Sequence, residues 1–175
     1  MKIQTLPTPE ILSNGAYRFS DEEAGYSFEY DPDIITVSVG KDKDETYNHL
    51  SIQFNQIQGY GYQGMVLYIL PNSQKLPPAD FLVTDFKGKW KEITPVDISM
   101  KSNIGEQIDI NGFPAVKTYL SNYLEIESAP FFVYLSYGNK IIGAGPMFGM
   151  ISSSELAPEA EQVFWNVLYS LILTP

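Results

Sequence analysis

The stretch Gly59-Tyr60-Gly61-Tyr62-Gln63-Gly64 spells G-x-G-x-x-G, the spacing that lets a backbone turn approach a pyrophosphate. The chemistry also needs a helix directly after the last glycine, so that its N-terminal amides face the phosphate. Here Met65-Val66-Leu67-Tyr68-Ile69-Leu70 follows, an apolar run with strand character. The glycines therefore read as a hairpin loop that presents Tyr60 and Tyr62, whose amphipathic rings make them candidate contacts for a ligand or partner. Trp90, set among Lys87, Lys89 and Lys91, is a third candidate contact in an otherwise acidic chain. The same lysine stems can also serve simply to cover the indole.

Asp42, Asp44 and Glu45 carry the carboxylate density of a calcium loop and are the candidate metal ligands. Lys41 and Lys43 interrupt them, and the glycine and terminal glutamate of an EF-hand are missing, so they read as a solvated charged turn. Asp21, Glu22 and Glu23 read the same way. His49 is the single histidine, there is no cysteine, and no G-x-S-x-G elbow occurs. A thiolate nucleophile, a disulfide and a cysteine-ligated metal are thereby excluded. With no catalytic constellation, the chain reads as a non-enzymatic protein, and no cofactor is called for.

These residues need a scaffold, and 175 residues suffice for one core that buries about 70% of the unfolded surface. The 12 tyrosines and 10 phenylalanines point to a folded protein rich in β-structure. The net charge of −10, with Arg18 as sole arginine, excludes a nucleic-acid surface. No apolar run is long enough to span a bilayer, so no membrane insertion by this segment is expected. Residues 1–13 contain Thr5-Leu6-Pro7-Thr8-Pro9-Glu10, a threonine/proline spacer of the kind that tethers exported domains, and residues 14–175 are expected to form one α+β domain. The spacer suggests an exported or cell-surface protein with its signal or anchor removed; the other reading is cytoplasmic.

Along the chain, Ala16–Ser20 and Gly25–Tyr30 alternate around an acidic turn and read as a hairpin. Ile34–Val39, His49–Ile57 and Met65–Leu70 read as strands, Pro77–Phe86 as a short helix, and Thr94–Met100 as a strand. Two further hairpins close at Asn111-Gly112 and Gly138-Asn139. The last segment, Ser154–Leu173, spaces Val163, Phe164, Val167, Leu168, Leu171 and Ile172 as one apolar helical stripe. Serines 152–154 offer N-caps, and Pro158, Glu159 and Glu161 suit a first turn. That stripe requires a broad sheet beneath it.

This order of elements resembles the PsbP-like (Mog1/PsbP) superfamily, and most of all its exported, lipoprotein-like bacterial members. The likeness is carried by Gly25–Pro32, Ile110-Asn111-Gly112-Phe113-Pro114-Ala115-Val116 and Phe164–Leu171, and it spans about residues 15–173. It implies an α/β/α sandwich with a central, mainly antiparallel sheet and the C-terminal amphipathic helix packed on it. It also implies an assembly or binding role, because understood members are photosystem extrinsic subunits or a small-GTPase binder. No binding residue carries over, and the scarcity of basic residues departs from the lysine-rich contacts of photosystem-binding members. The resulting expectation is a binding or assembly module with a protein partner. The alternative is a small-molecule or carbohydrate binder, or an enzyme of another type, using the Tyr60/Tyr62 loop.

Overall fold

The computed structural model describes residues 7–41, 48–55, 62–83, 105–119, 131–148 and 158–174. Its strands are β1 (Glu10–Ile11), β2 (Tyr17–Asp21), β3 (Tyr26–Tyr30), β4 (Ile35–Lys41), β5 (Asn48–Phe54), β6 (Tyr62–Pro71), β7 (Glu106–Ile110), β8 (Phe113–Tyr119), β9 (Phe131–Tyr137), β10 (Lys140–Phe148) and β11 (Ile172–Leu173). The helices are α1 (Pro78–Phe81) and α2 (Pro158–Tyr169). The expected strand at 94–100 lies outside the described residues.

Two sheets form where the sequence suggested one. Seven strands pair in the order β4-β5-β6-β10-β9-β8-β7, and four in the order β1-β2-β3-β11. Every pairing is antiparallel. The period of two divides β6, β8, β9 and β10 of the large sheet between two cores, whereas β4 and β5 feed only the first. On β6, Met65 and Leu67 enter a core shared with Phe19, Tyr26 and Phe28 of the small sheet and with Ala160, Phe164, Val167 and Leu168 of α2. Tyr68 and Leu70, on the opposite face, enter a second core with Phe81, Leu82, Val116, Tyr134 and Ile141. The large sheet thus carries α2 and the small sheet on one face, and α1 on the other.

The Asn111-Gly112 turn forms as its sequence requires, with φ of 54° and 84°, the positive pair of a type I′ hairpin. Asn111 has a second duty that explains how α2 ends without a cationic last turn. Its Nδ2 donates to the carbonyl of Tyr169, the last residue of α2, at 2.8 Å and to that of Leu171, just beyond it, at 3.1 Å; the last carbonyls of a helix have no partner within it. Asn111→Gly keeps the turn conformation and deletes the cap. We expect a loss of about 1–2 kcal/mol in urea unfolding, in line with two modest hydrogen bonds.

The helix is shorter than its apolar stripe. Ser170 Nα donates to the carbonyl of Asn166, and Ser170 Oγ donates to the carbonyls of Val167 at 2.9 Å and Glu29 at 3.3 Å. This turn diverts the chain, and Ile172–Leu173 leaves the helix to pair with Tyr26 and Ser27 of β3. Leu171 stays buried, whereas Ile172 is 51% exposed. The small sheet gains β1 at its other edge, from Glu10 and Ile11, which the sequence assigned to the spacer. The acidic turn between β2 and β3 is held from the large sheet: Lys140 Nζ donates to the carbonyls of Glu23 at 3.1 Å and Ala24 at 2.6 Å, and the Tyr137 hydroxyl donates to Ala24 as well. Burial pushes the Tyr137 phenol up to about 12.

Candidate functional site

Tyr60, Trp90, Asp42, Asp44 and Glu45 lie outside the described residues. Tyr62 opens β6, its backbone paired with Phe148. His49 pairs with Gly40 on one side and Tyr68 on the other. Among the described residues, no group of three or more His, Asp or Glu side chains could hold a metal ion. Their helices include none long and apolar enough to cross a membrane.

The structure does assemble an aromatic ridge that no local motif announces. Phe131, the first residue of β9, turns its ring toward α2 and stacks on Trp165, with centroids 5.6 Å apart and planes at 15°. Phe164 meets both rings edge-on, at 5.2 Å and 5.5 Å. One helical turn later Tyr169 continues the row, 5.9 Å from Trp165 at a 30° tilt. Depth changes along the ridge: Phe131 and Phe164 are buried, Trp165 is half-buried, and Tyr169 is 53% exposed.

Polar groups frame the rings. Lys117, on β8 opposite Val133, places Nζ 4.1 Å from the Phe131 centroid and 5.4 Å from that of Trp165. Glu161 accepts from Trp165 Nε1 at 3.1 Å and lies 3.8 Å from Lys117 Nζ. The indole N–H is thus satisfied, and the ammonium is held between ring faces and a carboxylate. On the neighbouring exposed side, Gln162 Nε2 donates to Asn166 Oδ1 at 2.9 Å. Rings at the centre with amides and a neutralised charge pair around them are suited to receiving another surface, since such anchors carry much of the energy of protein contacts. Sequence reading passed over the ridge. Its available signal was Trp165 and Tyr169, four residues apart beside the apolar stripe.

A second feature lies across the sheet, beneath α1. Strand pairing forms one row through all seven strands: Gly40, His49, Tyr68, Gly143, Tyr134, Val116 and Gln107. Tyr68 and Tyr134 flank Gly143 and join their hydroxyls above it at 3.1 Å. Burial raises both phenols, so they stay protonated. A Cβ on Gly143 would collide with the Tyr68 ring, and one on Gly145 with the ring of Phe132. These glycines let aromatic rings lie flat on the central strand. Gly143→Ala is expected to cost about 1–3 kcal/mol through overpacking. Tyr68→Leu in the same chain should recover part of it, which a double-mutant cycle in urea would register as coupling.

No family model matches this chain, and no curated protein does. A solved structure from Bacteroides thetaiotaomicron VPI-5482 resembles it with a TM-score of 0.47 and 12% identity, over 90% of this chain and 48% of that one. The chain spans about half the length of that protein.

Proposed function

We propose that this protein is a non-catalytic binding or assembly module of an exported or cell-surface protein, of the PsbP-like kind, and that its partner is a protein received on the Phe131–Trp165–Tyr169 ridge. The ridge is the observation that carries the reading. Its inner rings are fixed by packing while Tyr169 stands half in solvent. A tyrosine anchored in this way offers a large amphipathic contact with little entropy left to lose. The fold-level part of the proposal is supported by helices on opposite faces of a mainly antiparallel sheet. The threonine/proline segment ahead of β1 supports the export part.

A photoreactive phenylalanine analogue at position 169, in cells of the source organism, tests the contact. We expect one discrete covalent protein adduct from position 169. We expect none from Gln74, an exposed control on the loop before α1. Equal labelling from both positions, or none from 169, would overturn the proposal.

A further inference from the structure

We draw no further inference here: the strongest candidate, the aromatic ridge on the outer side of α2, belongs to the contact surface already proposed, and nothing in the structure shows the chemistry of what covers it.

Discussion

Val167→Asp is expected to leave the protein largely unfolded at neutral pH. Val167 is 1% exposed, in the core that joins α2 to β6 and to the small sheet. Losing its apolar burial costs about 1.5–3 kcal/mol. A carboxylate left there without a partner adds several more, and the sum reaches the scale of a whole domain's stability of about 5–15 kcal/mol. Two controls identify the cause. Val167→Ala removes volume without charge and should cost about 2 kcal/mol, from the lost methyls and the cavity they leave. Val167→Asn buries a polar group of similar size that does not ionise. Burial raises the folded-state pKa of the introduced aspartate above its unfolded value of about 3.9, so the folded state takes up the proton first. Stability lost at pH 7 should therefore return in part as pH falls through that raised pKa, and the gap between Asp and Asn should narrow on acidification. A melting temperature unchanged by Val167→Asp would mean that α2 is not docked as described.

The same helix shows where sequence reading succeeds and where it stops. Phe164, Val167 and Leu168 are buried as the 3.6-residue period requires, because an apolar stripe has to meet a core, and Leu171 is buried too although it lies past the end of the helix. Ile172 fits the period equally well but is half-exposed in β11, since its conformation is settled by pairing with Ser27, far away in the chain. Hairpins at Asn111-Gly112 and Gly138-Asn139 were legible because their turn residues specify them locally. The division into two sheets was not, because alternation shows that a strand has a buried face without showing which sheet it joins. The ridge escaped for the same reason: Lys117, Phe131 and Trp165 come from three elements and meet only in the fold.

Gly64→Ala is the second substitution with a large expected effect, and it gives the last glycine of the G-x-G-x-x-G stretch a physical role. Gly64 lies within β6, opposite Gln53 of β5, and a Cβ there would overlap the carbonyl oxygen of Ile52. Where Gly143 faces a side chain, which a second substitution can trim, Gly64 faces backbone, and relief requires β5 and β6 to separate. Ile52 and Met65, which pair next to this point, are both fully buried, so separation would open the core shared with α2. The expected loss is about 3 kcal/mol or more, at the upper end of overpacking costs. A urea midpoint shifted well beyond that of Gly143→Ala would bear this out. No substitution at Ile52 should rescue it, because the colliding atom belongs to the main chain. A Gly64→Ala protein with an unchanged midpoint would show that close strand approach does not explain this glycine.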